Sequence, residues 1–314
     1  MSRTFGLILK TREKLYRSGV FRTLKLGHPV ISVGNLTLGG TGKTPFVIAL
    51  AERLRDDGFR PVVLSRGYKR TTTDVRIVSR GEGPIIGWDE AGDEPFLIAR
   101  RVHGIAVVVG ANRYEAGRLA EREGLGNIFI LDDGFQHRRL ARDFDLIAID
   151  PVEWAAGEEL LPTGPWREPK TAIERAHAAC IQEDARTPFP SLPIPTFRVA
   201  TQIDGIYQGV QPLSLDQMRG RPVVAFAGIA KPERFFATLE GLGIEISERV
   251  RFRDHHLYTN RDLDTLTAGA RITTEKDAVR LEGAGFGEVA HVRISLKIPE
   301  FDRLIELIHN RLPL

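Results

Sequence analysis

Residues 30–45 read VISVGNLTLGGTGKTP: an apolar run, a glycine-rich turn and a closing Gly-Lys-Thr-Pro. Helical periodicity follows from Pro45 to Arg55 (PFVIALAERLR), so the stretch predicts a strand, a loop and a helix in succession. In such a loop successive backbone N–H groups turn inward around phosphates, a lysine neutralises charge and a hydroxyl ligates magnesium. Here Gly39, Gly40, Thr41 and Gly42 form the cradle, Lys43 supplies the charge and Thr44 the hydroxyl. Pro45 suits a first helical turn, where no N–H is required. One position breaks the usual pattern of Gly, four residues, then Gly-Lys-Ser/Thr: Thr37 stands where the first glycine belongs.

Working outward, PVVLSRGY reads as a strand running into a loop, and Pro95–Val102 as a helix. GIAVVVG and NIFILDD are continuous apolar runs, as in strands buried on both faces of a parallel sheet, with NRYEAGRLAERE the helix between them and DLIAID a further strand. The alternation implies an α/β fold of the P-loop NTPase type, a doubly wound and mainly parallel sheet with ligands beyond the carboxyl ends of its strands. Prolines accumulate between Pro162 and Pro195, predicting irregular chain around one helix near Ala172–Ala179, and two short β-like segments near Pro195–Val210 suggest a hinge. A new βα unit starts at RPVVAFAGIAKPERFF. The expected organisation is a phosphate-loop domain at 1–200 and a smaller α/β domain at 201–314.

Magnesium takes oxygen ligands, so a phosphate loop calls for an acid at the end of a neighbouring strand. Asp132 and Asp133 follow four apolar residues in NIFILDDGFQH. Phosphate transfer to a hydroxyl further needs a group to accept the proton. Asp93, in GDEPF, lies at a loop-to-helix junction, where capping is its plainer role. His255 and His256, in FRDHHLYT, lie in the second domain; with Asp254 they also read as metal ligands, although adjacent histidines point apart on most backbones, favouring one functional and one structural imidazole.

The chain has 314 residues, of which 42% are hydrophobic and 27% charged, the composition of an ordinary globular protein. Its one cysteine, Cys180, excludes an intrachain disulfide and a cysteine-built metal site, and fits a reducing cytoplasm. The first 30 residues hold seven Lys/Arg and one acid, leaving 37 basic against 40 acidic residues elsewhere. The net charge of +3 is therefore an N-terminal property, which argues against a general nucleic-acid-binding surface. That N-terminal stretch interleaves Phe5, Ile8, Leu9, Leu15, Tyr16, Val20 and Phe21 with the basic residues at roughly helical spacing. Its apolar runs fall far short of the ~18 residues that span a bilayer, and a signal-peptide profile is missing. Two readings follow: a basic amphipathic helix lying on an anionic leaflet, or a solvated helix with one face docked on the protein.

Taken together, VGNLTLGGTGKTP, LSRGY, GDEP, LDDGFQH, GPWREP, FRDHH and TTEKDA occur in the order and spacing of the tetraacyldisaccharide 4′-kinases, the lipid A 4′-kinases of Gram-negative bacteria. The chain resembles that family from its basic N-terminus to about residue 280. The resemblance implies transfer of the γ-phosphate of ATP, with Mg²⁺, to the 4′-hydroxyl of an acylated glucosamine disaccharide 1-phosphate, giving lipid IVA. It also implies peripheral attachment to an anionic membrane at the cytoplasmic face of the inner membrane, with no nucleic acid and no obligate protein partner. The family's phosphate loop carries Asn-x-Thr before Gly-Gly-Thr-Gly-Lys-Thr, which Asn35 and Thr37 reproduce. By the same resemblance Asp93 is the catalytic base and His255 its partner across a domain cleft. Thr44, Asp132, Asp133 and Glu168 look like the metal site, and Arg66, Arg113, Gln136, His137 and Arg167 like contacts to the lipid's sugar and phosphate. Two other readings share the phosphate loop: a regulatory GTPase or metallochaperone-type NTPase, and a soluble small-molecule kinase or ligase. The first needs an Asn-Lys-x-Asp motif that TEKD at Thr274–Asp277 only superficially resembles, and the amphipathic N-terminus and two-domain organisation count against the second.

Overall fold

The computed structural model describes residues 2–218, 220–266, 269–282 and 289–313. The chain divides into two compact units, Met1–Ala200 together with Leu296–Leu314, and Thr201–Ser295.

The first unit begins with helix α1 (Ser2–Arg17) and continues through β1 (Val30–Gly34), α2 (Lys43–Asp56), β2 (Pro61–Ser65), β3 (Arg76–Ser79), α3 (Trp88–Ala91) and α4 (Asp93–Arg101). Next come β4 (Ala106–Val109), α5 (Arg113–Arg122), β5 (Ile128–Asp132), β6 (Phe144–Ile149), α6 (Pro151–Ala155), β7 (Ala178–Gln182) and β8 (Thr196–Gln208). Strand order in the sheet is β8-β7-β6-β1-β5-β2-β4-β3. Neighbouring strands are parallel except for β3, which runs antiparallel along β4. Every residue of β1, β2, β4, β5 and β6 is buried, because helices on both faces leave no polar side for these apolar runs to alternate with. Strand β1 lies between β5 and β6, with Val33 in register with Asp132 on one side and Leu146 on the other. The carboxyl ends of three strands thus frame the phosphate loop.

The proline-rich stretch differs from the sequence expectation. The helix anticipated near Ala172–Ala179 is a short 3-10 turn, Lys170–Arg175, followed by strand β7. Alanines favour helix in isolation, but here Ala178, Ala179, Cys180 and Ile181 fill a buried strand position beside β6, and packing overrides a weak propensity. The two short β segments foreseen near Pro195–Val210 are one 13-residue strand, β8. Strand β3 carries no continuous apolar run, so it leaves no strand signal in the sequence.

The second unit contains β9 (Gln211–Leu213), α7 (Leu215–Met218), β10 (Val223–Ala227), α8 (Pro232–Gly241), β11 (Ile246–Arg251), α9 (Asn260–Asp264), β12 (Ala270–Thr274), α10 (Glu275–Leu281) and β13 (Ala290–Lys297). Its strands β11-β10-β12-β13 are parallel, and β9 forms a hairpin with the last residues of β8. Phe235, Phe236 and Leu239 of α8 pack with Val223, Ala225 and Ile272 in its core. The anticipated second domain, 201–314, is too long at its end: the terminal helix α11 (Phe301–His309) belongs to the first unit. Arg53 of α2 reaches Asp302 at 2.5 Å and lies over the Phe301 ring, while Phe59 meets His309 with ring centres 5.5 Å apart. The apolar stripe of α11 is therefore buried against partners that are distant in sequence.

Gly34 ends β1 where the chain passes within reach of Phe135. A Cβ on Gly34 would lie 2.5 Å from the Phe135 Cβ and 2.8 Å from its backbone nitrogen. Relief requires backbone movement, so Gly34→Ala is predicted to destabilise the protein by about 1–3 kcal/mol, the usual cost of overpacking, seen as a lowered thermal midpoint.

Candidate active site

The loop after β1 rises in extended conformation before it turns. Leu38 N–H donates to the Pro165 carbonyl at 2.7 Å, Arg167 N–H donates to the Leu36 carbonyl at 2.7 Å, and Thr37 bridges to Trp166 as in an antiparallel pair. Thr37 is buried, and its hydroxyl donates to Glu153 at 2.6 Å. A position paired in this way needs no positive φ, which explains why the first glycine of the usual pattern is dispensable. The turn comes later. Gly42 caps α2 at φ 76°, a left-handed conformation that glycine adopts without steric cost, and there is space around it. Buried Asn35 donates to the Thr41 hydroxyl at 3.1 Å across the loop, and Gln136 donates to the Asn35 carbonyl at 2.8 Å. The loop is thus tied at its base, and the free N–H groups opening α2 point to where an anion would sit.

Asp132 and Asp133 are adjacent yet have opposite electrostatics. Asp132, almost fully buried at the end of β5, accepts one hydrogen bond from Ser65 at 2.8 Å. Burial, reinforced by the charges of Glu94 and Asp133, pushes its carboxyl up to about 7. Asp133 takes φ 51°, which swings its side chain into a cationic pair: Lys43 Nζ at 3.4 Å and Arg167 at 2.7 and 2.9 Å. Burial alone would raise this carboxyl, but Lys43 and Arg167 outweigh it and hold it below the ordinary range.

Thr44 opens α2 half-buried, and Asp132 is a buried oxygen ligand short of positive charge, so these two groups fit a hard cation that also takes phosphate oxygens. The expected acid set does not assemble: among the described residues no three His, Cys, Asp or Glu side chains converge as metal ligands. Asp133 is engaged by Lys43 and Arg167, and Glu168 forms an ion pair with Arg175, a partner that no sequence motif singles out. Arg167, expected on the lipid, is held between Asp133 and the Gln136 side chain in this state.

Arg66, exposed after β2, and Arg113, at the start of α5, flank the same strand ends. Arg113 is buried with its Nε unpaired; burial lowers its guanidinium to about 10, partly offset by Asp133. His137, also with an unpaired buried nitrogen, is pushed down to about 4 by burial and by the charges of Arg113, Arg142, Arg12 and Arg139. The imidazole is therefore neutral at physiological pH amid guanidinium groups, a setting with surplus positive charge and unmet polar atoms. Asp93 is the first residue of α4, with Gly92 in the cap position, and its Oδ1 accepts from the Glu94 N–H at 2.9 Å. It is buried, and the influence of its neighbour Glu94 on Asp132 puts the start of α4 at the same strand ends.

In the second unit the two adjacent histidines diverge. His256 stacks on Phe252 with ring centres 4.6 Å apart and stands 3.2 Å from Asp262, a structural arrangement. His255 occupies the left-handed region at φ 56° and lies 3.3 Å from Lys276.

A family model described as tetraacyldisaccharide-1-P 4′-kinase matches residues 1–313. The chain belongs to that family. Among its relatives, the tetraacyldisaccharide 4′-kinase of Anaeromyxobacter sp. (strain K) is 42% identical over 296 residues, covering 87% of this chain and 78% of that one. The kinase of Koribacter versatilis is 38% identical and covers 99% and 98%. A crystal structure of LpxK from Aquifex aeolicus in complex with ATP superposes with a TM-score of 0.85 at 35% identity, covering 98% of this chain and 96% of that one. The α/β fold and the kinase class anticipated from the motifs hold, and the GTPase and small-molecule-kinase readings fall.

Within this kinase the raised Asp132 carboxyl has a consequence for stability. The native state holds a proton there that the unfolded chain has already lost, so the contribution of Asp132 is present below the ordinary carboxylate pKa and is lost as pH rises toward about 7. Asp132→Asn is predicted to raise the thermal midpoint of the nucleotide-free protein at pH 8 relative to wild type, with a smaller difference at pH 4. Melting curves at the two pH values check this.

Proposed function

We propose that this protein transfers the γ-phosphate of ATP to the 4′-hydroxyl of a tetraacylated glucosamine disaccharide 1-phosphate, giving lipid IVA in lipid A biosynthesis. The observation that carries the reading is the Lys43–Asp133–Arg167 cluster closing a phosphate loop whose neighbouring strand ends in the buried Asp132. Lys43, paired with Asp133, is the charge for the β- and γ-phosphates, and Arg167 shares that site. Mg²⁺, bound by Thr44 and Asp132 together with phosphate oxygens, would neutralise charge on the transferring group. Asp93 accepts the proton of the acceptor hydroxyl, and His255 is the second group that supports the transfer. Arg66, Arg113, Gln136 and His137 face the sugar and phosphate of the lipid.

Helix α1 supports contact with an anionic membrane surface. One face holds it to the protein: Arg12 donates to the Gln136 carbonyl, Glu13 pairs with Arg138, and Arg138 lies 4.9 Å over the Tyr16 ring. The other face exposes Leu7 and Ile8, with Val20 and Phe21 just beyond the helix, and Lys10, Lys14, Arg17, Arg22 and Lys25 are exposed around them. Apolar side chains ringed by cations suit an anionic interface where the acyl chains of the substrate reside. No helix among the described residues is long and apolar enough to cross a membrane. We place the protein peripherally at the cytoplasmic face of the inner membrane.

Labelled γ-phosphate should appear on the lipid disaccharide in detergent micelles with ATP and Mg²⁺; folded protein that transfers none would refute the assignment. Asp93→Asn should lower kcat by about 10²–10⁴ while leaving ATP affinity nearly unchanged, measured by steady-state kinetics and nucleotide titration. For the helix, Leu7→Glu with Ile8→Glu should weaken co-sedimentation with vesicles containing anionic phospholipid, and undiminished binding would return α1 to a purely structural role.

A further inference from the structure

The TTEKDA stretch, Thr273–Ala278, is not absorbed by the nucleotide site, yet it builds a buried, multiply bonded polar cluster in the second unit. Asp277 is fully buried at the start of α10 and accepts from the Gly228 N–H at 3.0 Å, the Tyr258 hydroxyl at 2.7 Å and the Thr274 hydroxyl at 2.6 Å, while pairing with Arg280. Gly228 sits tightly against this cluster: a Cβ would stand 3.0 Å from the Tyr258 hydroxyl and 3.1 Å from Asp277. The Gly228 carbonyl accepts from the His255 N–H at 3.0 Å and from Arg280 at 2.8 Å. These bonds hold His255 in a left-handed backbone conformation that is unfavourable for a non-glycine residue. Strain maintained by a buried network is a sign that the orientation of this side chain matters.

The residue beside Asp277 reaches that side chain. Lys276 Nζ lies 3.3 Å from His255 Nε2. The partly exposed Asp254 carboxylate is farther from the same nitrogen, at 3.9 Å. An ammonium group has protons to give and no lone pair, so its contact with Nε2 requires that nitrogen to be the acceptor and leaves the ring proton of the neutral imidazole on Nδ1. We propose that Lys276 is a positioning residue for phosphate transfer, fixing His255 in the Nδ1–H tautomer and fixing the plane of its ring. The Nδ1–H group is then the donor that His255 presents, and α10 couples the buried Asp277 scaffold to it. This rests on the role given to His255 under the proposed function.

Nitrogen-15 histidine NMR on the full chain tests the contact independently of turnover, with His255→Asn used to assign the resonance. Wild type should show the Nδ1–H tautomer at neutral pH, and Lys276→Met should shift the signal toward the Nε2–H form. In kinetics, Lys276→Met should lower kcat by about tenfold with KM for ATP changed less than about twofold, and Lys276→Arg should restore most of the loss. In a His255→Ala background Lys276→Met should cost nothing further, because the two residues act through one group. An Nε2–H wild-type signal, a spectrum unchanged by Lys276→Met, or a full additional loss in the His255→Ala background would overturn the proposal. Unimpaired kcat in His255→Ala would instead remove the reading of His255 itself, a result separable from failure of the contact, which the spectrum reports alone. A wild-type circular dichroism melt for Lys276→Met excludes misfolding as the cause of lost rate.

Discussion

The constraint on which this protein is built is that a chain leaving a buried strand must present a row of unpaired N–H groups at one place without collapsing onto them. Two devices meet it. The ascending limb, Leu36–Leu38, is paired with Pro165–Arg167 and so cannot fold into the cradle. The turn itself is concentrated at Gly42, where the left-handed conformation starts α2 abruptly. The Asn35–Thr41 and Gln136–Asn35 bonds then close the loop from beneath. In the usual loop extra glycines supply flexibility, whereas here a neighbouring segment supplies rigidity.

Charge is distributed around that loop by environment more than by residue type. Asp132 and Asp133 differ by one position, yet one is a desolvated carboxyl with a single hydroxyl partner and the other is the centre of a Lys–Asp–Arg cluster. The strand fixes Asp132 inside, and the positive φ of Asp133 turns the next side chain toward Lys43. A site for ATP gains from both: the ion cluster holds Lys43 and Arg167 beside the loop, and the destabilised carboxyl favours a bound cation. Nearby, Arg113 and His137 keep polar atoms buried and unpaired, a cost that a substrate offering acceptors would relieve.

The same economy of scaffold appears twice more. Helix α1 uses Arg12, Glu13 and Tyr16 on one face to grip the loop after β5, leaving Leu7 and Ile8 on the other. The second unit uses one buried aspartate to hold Gly228, Tyr258, Thr274 and Arg280, and through Gly228 the strained backbone of His255. In each case a short segment carries a structural face and a chemical face, and burial of the first orients the second.

The sequence by itself determined the elements whose signal is local. The phosphate loop, the flanking strand and helix and the acid pair after β5 were legible because apolar runs, glycines and charges at fixed offsets leave few alternatives, and the ordered motifs identified the family. The loop-to-helix junction around Asp93 was legible too, although α4 starts at Asp93 itself, with Gly92 in the cap position, two residues before the Pro95 at which the sequence pattern begins the helix. Tertiary structure decided what depends on partners far along the chain. The alanine-rich Ala178–Gln182 became a strand because β6 stood beside it, and α11 joined the first unit because α2 offered Arg53 to Asp302 and Phe301. Glu168 pairs with Arg175 and Lys276 meets His255, since such pairings follow from where two backbones approach and not from spacing. Thr37 shows the division most clearly: the sequence marked it as a departure from the pattern, and only its pairing with Trp166 and its bond to Glu153 supply the reason.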